Sequence, residues 1–180
     1  MITNRTIGAV ARAASLLTLV TNVAGAQPLR ARVGLIAFEE ALALDTLAIG
    51  YAVTAPPRTV MFALDDAFKA FDIPVTVRDS FDMVIGNVAY KRMHTFANAP
   101  ASKSLNCGGD ITGWNADEMR LTIAILALVD PGKDGGTRIR IGMAASAEDV
   151  IGQKRPPIRC VSSGRLEAAM AEFVKKRTGG

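Results

Sequence analysis

The sequence predicts an α+β domain in which an antiparallel β-sheet packs two helices, at about 57–72 and 163–177, on one face. Two observations predict it. Two segments of alternating apolar residues flank a turn sequence, which is the pattern of a β-hairpin. Amphipathic segments lie before and after that hairpin, and each needs an apolar surface to cover its buried stripe.

The hairpin is predicted around residues 119–143. Apolar side chains occupy the odd positions from Met119 to Val129 and again from Ile139 to Met143, and the segment 130–136 between them is rich in Gly, Asp and Pro. A turn centred on Asp134 keeps all these odd positions on one face, because a slip of one residue would turn a strand inside out. This register predicts the pairs Ile125–Met143, Ala127–Ile141, Val129–Ile139, Thr122–Ser146 and Arg120–Glu148. The second face is polar only toward one end, so we expect it to be open or partly covered.

The first helix is predicted from Pro57, a residue that the first helical position tolerates. Its apolar stripe consists of Met61, Leu64, Phe68 and Phe71, with Val60 and Ala67 beside them. The last helix carries Leu166, Ala169, Met170, Phe173 and Val174 at helical spacing. Its basic end, 175–177, lies where the helix dipole favours cations, so this cluster needs no partner to explain it.

Shorter elements are predicted between these. Strands are expected at 51–54, 75–78 and 83–85, followed by a break at Gly86–Asn87 and a further extended segment at 88–94. A loop is expected at 98–104. Residues 31–50 show no single period: Val33, Leu35 and Ala37 alternate like a strand, whereas 41–47 could form a helical turn.

Length and composition indicate one folded domain. The chain has 180 residues, of which 49% are hydrophobic and 21% charged, which is typical of a globular protein with a proper core. We expect a single domain over 27–180 with an ordered core at about 50–177. The net charge of +4 falls to +2 without residues 1–26, because these contain Arg5, Arg12 and no acid. So small a charge does not indicate a nucleic-acid partner.

Residues 1–26 have the three parts of a secretory signal peptide. Arg5 and Arg12 lead into an apolar run, and the small residues Ala24 and Ala26 fit the site that signal peptidase cleaves. We therefore expect the mature protein to begin at Gln27 and to be periplasmic or secreted. No later apolar run is long enough to predict a transmembrane segment in the mature chain. The residue directly after the cleavage point is Gln27 and not a cysteine, which argues against a lipid anchor.

The two cysteines, Cys107 and Cys160, are predicted to form a disulfide. Export brings the chain into an oxidising compartment, where a pair of cysteines is more often bonded than free. The alternative is that one cysteine is a nucleophile or metal ligand, but His94 is the only histidine and no C-x-x-C spacing exists. No metal or cofactor is therefore predicted.

Other candidate residues have simpler interpretations. Adjacent acids such as Asp65 and Asp66 point about 100° apart on a helix, so a solvated face explains them better than a carboxylate site does. Trp114 could stack on a ligand, although a lone tryptophan more often covers the edge of a core. Lys154 and Arg155 could meet a polyanion, but so short a basic run is usually a solvated loop.

Several segments together resemble a group of uncharacterised exported proteins of environmental bacteria over about residues 50–177. The resemblance rests on 55–60, 71–75, 105–108, 115–117 with 120–122, 136–139, 159–160 and 164–167. It implies a shared fold and no known activity. The order of elements, with its proline-started helix, is also similar to the helix-grip domains of the outer-membrane assembly lipoprotein BamC.

The leading functional hypothesis is a non-catalytic, exported binding or accessory protein of the bacterial cell envelope. The sequence contains no nucleophile elbow, zinc-protease motif or phosphate-binding loop. The first alternative is a carrier that holds an apolar small ligand between helix and sheet, as helix-grip folds can do. The second is an enzyme, such as a small hydrolase, that uses Cys107 or His94. The partner would accordingly be an envelope protein or an apolar ligand.

Overall fold

The computed structural model describes residues 31–110, 113–132, 135–150 and 155–179. The predicted signal peptide and the predicted cleavage after Ala26 lie outside these residues. The described part has the predicted α+β architecture: a large antiparallel sheet carries two long helices on one face.

The elements follow one another in chain order. The strands are β1 (Arg32–Val33), β2 (Leu42–Ala43), β3 (Ile49–Val53), β4 (Val77–Asp79), β5 (Val84–Met93), β6 (Thr95–Phe96), β7 (Ala99–Pro100), β8 (Leu105–Asn106), β9 (Gly109–Asp110), β10 (Gly113–Trp114), β11 (Arg120–Pro131), β12 (Thr137–Glu148) and β13 (Ile158–Ser162). The helices are α1 (Leu44–Leu47), α2 (Pro57–Ala70), α3 (Asn115–Glu118) and α4 (Arg165–Thr178), and Ala101–Lys103 forms a turn of 3-10 helix.

The main sheet has the strand order β4-β5-β11-β12-β13-β8 among the described residues, and β3 pairs with β12 as a branch. β3 pairs with residues Thr137 to Ile141 of β12, and β13 pairs with residues Ala144 to Ala147 of the same strand. The two strands therefore lie end to end along the same edge of β12.

The predicted hairpin and its register are confirmed. β11 and β12 pair in the predicted alignment, with Ile125 opposite Met143 and Thr122 opposite Ser146. Arg120 also lies opposite Glu148, and its Nη2 atom donates to the Glu148 Oε2 atom at 3.2 Å. The odd positions of both strands face the helices, as the alternating pattern predicts.

The helices α2 and α4 pack side by side on this odd-numbered face. The fully buried Phe68 of α2 and Met170 of α4 join Ile123 and Ile125 in one core. Both helices lie close to their predicted bounds. The buried stripe of α2 is Val60, Ala63, Leu64, Ala67 and Phe68, while Met61 and Phe71 are only partly buried.

The opposite, even-numbered face is covered by residues 31–47, which we call the strap. Leu44 and Val33 of the strap are buried against Leu126 and Leu128 of β11. Gly142 makes this close approach possible, because a Cβ atom there would collide with the Leu44 carbonyl oxygen. The strap thus supplies the cover that the sequence left undecided, and it precedes the expected start of the ordered core near residue 50.

The strand β5 is continuous where the sequence predicted a break. Gly86 and Asn87 both belong to it, because the missing side chain of Gly86 leaves room for the Ile125 carbonyl oxygen. The irregularity lies just beyond, where the register against β11 shifts between Ile123 and Ile125. Asn87 stabilises this bulge, since its Nδ2 atom donates to the Pro74 carbonyl oxygen and its Oδ1 atom accepts from the Ala89 amide.

The expected loop at 98–104 is more ordered than predicted. β6 and β7 pair across it, and the 3-10 turn follows directly. Across the described ranges, no helix is both long and apolar enough to cross a membrane.

We expect Ile125→Asp to unfold the protein. The side chain is fully buried on the helical face, and an unpaired charge buried there costs about 3–5 kcal/mol, a large share of a domain's stability. Circular dichroism and urea denaturation would measure this loss. Ile36→Asp is the matched control, because Ile36 is 64% exposed and should change the free energy of unfolding by less than about 0.5 kcal/mol. A folded, cooperative Ile125→Asp variant would contradict the assigned face of β11.

Candidate functional site

Cys107 and Cys160 form the predicted disulfide, with their Cα atoms 4.3 Å apart. Both residues are buried, and the Asn115 Nδ2 atom donates to the Cys107 carbonyl oxygen at 3.1 Å. Cys160 lies in β13 opposite Ala145 of β12, so the bond fastens the segment after β8 to the main sheet. Neither sulfur is a thiol in this structure, and the bonded form therefore offers no cysteine nucleophile.

His94 belongs to a cluster with Ser102 and Asp117, but the connections are not those of a catalytic triad. The Asp117 carboxylate accepts from the Ser102 hydroxyl at 2.6 Å and from the Ser102 amide at 2.8 Å. The His94 Nδ1 atom instead bonds the Asp117 main-chain carbonyl at 2.7 Å. In a triad the imidazole lies between the hydroxyl and the carboxylate and removes the hydroxyl proton. Here the contacts tie the 3-10 turn to α3.

The adjacent acids of α2 point to different partners, as the helical geometry predicts. Asp65 pairs with Lys69 and Arg78, and its hydrogen bond from Lys69 is the main cause that holds the pKa of Asp65 below its ordinary value. Asp66 instead meets Arg177 of α4 at 3.1 Å. Among the described residues, no group of three or more His, Cys, Asp or Glu side chains could hold a metal ion.

Two other candidates can be followed only in part. The side chain of Trp114 and the whole of Lys154 lie outside the described residues. Arg155 is described, and its Nε atom lies 3.9 Å from a carboxylate oxygen of Asp149. This pairing fits the interpretation of a solvated loop.

Glu167 is a buried carboxylate that the sequence analysis missed. It is 1% exposed in the first turn of α4, and its Oε1 atom accepts from the Ser162 hydroxyl. The Ser162 oxygen in turn accepts from the Gly164 amide at 2.9 Å, while the Glu167 Oε2 atom is buried without a hydrogen-bond partner. The helical spacing could have revealed it, because position 167 falls on the same stripe as the buried Met170, Ala171 and Val174.

Burial raises the pKa of Glu167 above its ordinary value of 4.5, and this outweighs the hydrogen bond from Ser162 that lowers it. Burial also raises the pKa of Tyr51 on β3, with the Glu167 charge as a second cause. β3, β13 and α4 therefore meet near one carboxyl group that the fold holds more easily in its neutral form.

The outer edge of β3 is a free edge of the sheet among the described residues. β3 pairs only with β12 among the described residues, so its other row of main-chain N–H and C=O groups has no strand partner there. Gly50 and Ala52 are exposed. A groove of about 820 Å³ runs beside them; we call it the β3 groove. It is lined by Gly50, Ala52, Thr54, Gly132, Gly136 and Arg138, among others.

Among the described residues that line this groove, Arg138 is the cation. Its side chain is exposed, and its Nε atom lies 3.0 Å from the place where a Cβ atom would stand on Gly50. The guanidinium group is therefore held over the β3 backbone. This arrangement can bind an extended main chain through hydrogen bonds and an acidic side chain through Arg138.

The chain matches no family model, and no curated protein is significantly similar to it.

Removing the disulfide by Cys107→Ser with Cys160→Ser should lower the free energy of unfolding by about 4 kcal/mol. The bond closes a loop with a sequence separation of 53, and such a loop restricts the unfolded chain strongly. Urea denaturation of the variant and of the reduced wild-type protein should give the same lower stability. A loss below about 1 kcal/mol would contradict this account of the disulfide.

Glu167→Gln should change how stability depends on pH. Because the pKa of Glu167 is higher in the folded than in the unfolded protein, its favourable contribution is complete below the unfolded value of 4.5. That contribution is lost as pH rises through the folded-state pKa. The wild-type protein should therefore lose stability relative to the Gln variant as pH rises, which denaturation at about pH 4 to 8 would measure.

Glu172→Gln on the same helix is the matched control with the opposite sign. The hydrogen bond from Lys175 holds the pKa of Glu172 below its ordinary value, so its contribution is present above 4.5 and is lost as pH falls. The wild type should hence gain stability relative to this variant with rising pH. Equal pH profiles for the two variants would refute the burial of the Glu167 charge.

Proposed function

We propose that this protein is a non-catalytic, exported binding module of the bacterial cell envelope that captures an extended peptide segment along the free edge of β3. The observation that supports the proposal is that this edge has no strand partner among the described residues and contains no charged residue or proline. An extended segment that adds to a sheet gains main-chain hydrogen bonds for affinity and places alternate side chains for specificity.

Two other edge strands, β4 and β8, differ from β3 in ways that oppose pairing. β4 has three residues, two of which are the charged Arg78 and Asp79, and β8 has only two residues. Charged and very short edges are common protections against unwanted strand addition. β3 has five residues, Ile-Gly-Tyr-Ala-Val, with no charge and no proline. Its lack of protection supports a role in binding.

The surroundings of β3 indicate the chemistry of the partner. The small exposed residues Gly50 and Ala52 leave the approach to the backbone open, and the β3 groove can take side chains of the added strand. Arg138 provides a cation beside the strand. A segment with β-branched or aromatic residues and at least one carboxylate fits these features best.

The place of action rests on the N-terminal sequence and on the disulfide. A bonded pair of buried cysteines is typical of proteins in an oxidising compartment such as the periplasm. Residues 1–26 carry the parts of a signal peptide. Together they support export and a partner in the envelope.

The two alternative functions find less support. A carrier of an apolar ligand between helix and sheet needs space there, whereas Phe68, Ile123 and Ile125 fill that layer with fully buried side chains. An enzyme that uses Cys107 or His94 would need a free thiol or an imidazole aligned with a nucleophile. Cys107 is bonded to Cys160, and the His94 imidazole bonds the Asp117 carbonyl oxygen and not the Ser102 hydroxyl.

A displayed library of random peptides about ten residues long would test the proposal on the mature protein. Selected peptides should alternate apolar residues, carry Asp or Glu and bind with dissociation constants of about 1–100 µM. Hydrogen exchange should slow at those amides of Ile49–Val53 that point away from β12 when peptide binds. Ala52→Lys should weaken binding about tenfold or more, because a charge on the edge disfavours strand addition.

Val161→Lys is the matched control for Ala52→Lys. Val161 is also an exposed strand residue, but its strand already has β12 and β8 as neighbours. This variant should bind as the wild type does, and Arg138→Ala should weaken acidic peptides more than their Gln-containing analogues. Absence of selected peptides, or binding that Ala52→Lys leaves unchanged, would reject the proposal. Lipid retained in native mass spectrometry would favour the carrier instead.

A further inference from the structure

Phe81 protrudes from the turn between β4 and β5. Its side chain is 94% exposed, yet the turn is well fixed, because the Asp79 Oδ1 atom accepts from the amides of Phe81 and Asp82 at 2.8 and 2.9 Å. A single exposed apolar side chain is ordinary on protein surfaces. Phe81 differs because a matching depression lies beside it.

That depression, which we call the turn groove, has a volume of about 330 Å³ and lies between the start of α2 and the turn. It is lined by Arg58, Met61, Phe62, Arg78, Ser80 and Met83. A cavity of about 150 Å³ is enough for a benzene ring, so the groove can take one aromatic side chain. Its two methionines adapt readily to an inserted ring, and Phe62, itself 62% exposed, provides an aromatic wall.

The charges around this surface indicate what fills the groove. The acids Asp79 and Asp82 flank Phe81 on the turn, whereas Arg58 lies on the helical side of the groove. An anionic membrane would meet both acids whenever Phe81 entered it. A second copy of the chain suits this surface better, because its turn carries an exposed ring between acids and its groove is lined by Arg58, so a two-fold arrangement would oppose unlike charges.

We propose that two copies of this protein form a symmetric dimer in which Phe81 of each copy occupies the turn groove of its partner. Phe81 and the turn groove lie side by side on one surface, so one two-fold arrangement can seat the Phe81 side chains of both copies. The anchor on each copy is a single aromatic side chain in one groove, so we expect a weak, concentration-dependent dimer with a dissociation constant of about 10–100 µM. This inference is independent of the β3 edge.

Sedimentation velocity of the mature protein at about 5–500 µM would test it. The wild type should shift from monomer to dimer over this range, and Phe81→Ser should remain monomeric at every concentration. Because Phe81 is almost wholly exposed, its replacement removes no core contact. Ile36→Ser removes another exposed apolar side chain, far along the chain in the strap, and should dimerise as the wild type does.

Charge reversal provides a second measurement. Arg58→Asp should weaken the dimer about tenfold, and Asp82→Arg in the same chain should restore it, because the reversed pair regains opposite charges across the two-fold axis. Ala52→Lys should dimerise normally, which separates this inference from strand addition at β3.

Three results would overturn the proposal. They are a wild-type protein that stays monomeric at the highest concentration, a dimer that survives Phe81→Ser, and a double charge variant that fails to recover. Monomeric protein that sediments with vesicles of phosphatidylcholine and phosphatidylglycerol, and loses this binding on Phe81→Ser, would assign the surface to a membrane instead.

Discussion

The pairing of β11 with β12 is the constraint on which the other elements depend. It runs unbroken from Arg120 opposite Glu148 to Pro131 opposite Thr137, and it fixes which side chains face which layer. The odd-numbered residues meet the helices, and the even-numbered residues meet the strap. A slip of one residue would bury Arg138 and Arg140 beneath the helices and turn Ile139 and Ile141 away from them, toward the strap side. The positions of the helices and of the strap therefore both depend on this register.

The disulfide joins residues that lie before and after this hairpin in the sequence. Both strands of the hairpin lie within the loop that Cys107 and Cys160 close, and β13 continues from Cys160 toward α4. In the unfolded chain the bond thus shortens the path from the elements before Cys107, such as α2 and β5, to α4. Glu167 lies just beyond this junction, in the first turn of α4, where burial raises the pKa of its carboxyl group.

Much of this fold could be predicted from the sequence, because its central elements have regular periods. The hairpin register follows from apolar residues at every second position, and the two helices follow from stripes at helical spacing. The strap could not be predicted, since residues 31–47 have no single period and take their shape from the even face. The continuity of β5 was not predicted, because a glycine such as Gly86 usually indicates the end of a strand. In this sheet Gly86 instead makes room for the Ile125 carbonyl oxygen.

The candidate site was harder to foresee for a related reason. The disulfide was predicted from parity and compartment, but the free edge of β3 is a property of the whole sheet. It arises because β3 and β13 divide one edge of β12 between them. The sequence of β3 shows only an uncharged strand. That its outer edge is unpaired follows from the pairing of all the other described strands.

The strap has a consequence for the order in which the chain can fold. It is synthesised before every other described element, whereas the hairpin that it covers lies in the last third of the sequence. The apolar side chains of Val33, Leu35 and Leu44 consequently have no docking surface until β11 and β12 have been made. The elements therefore cannot fold one after another from the N-terminus. The nascent chain carries the strap as an exposed apolar segment until most of the chain has been synthesised.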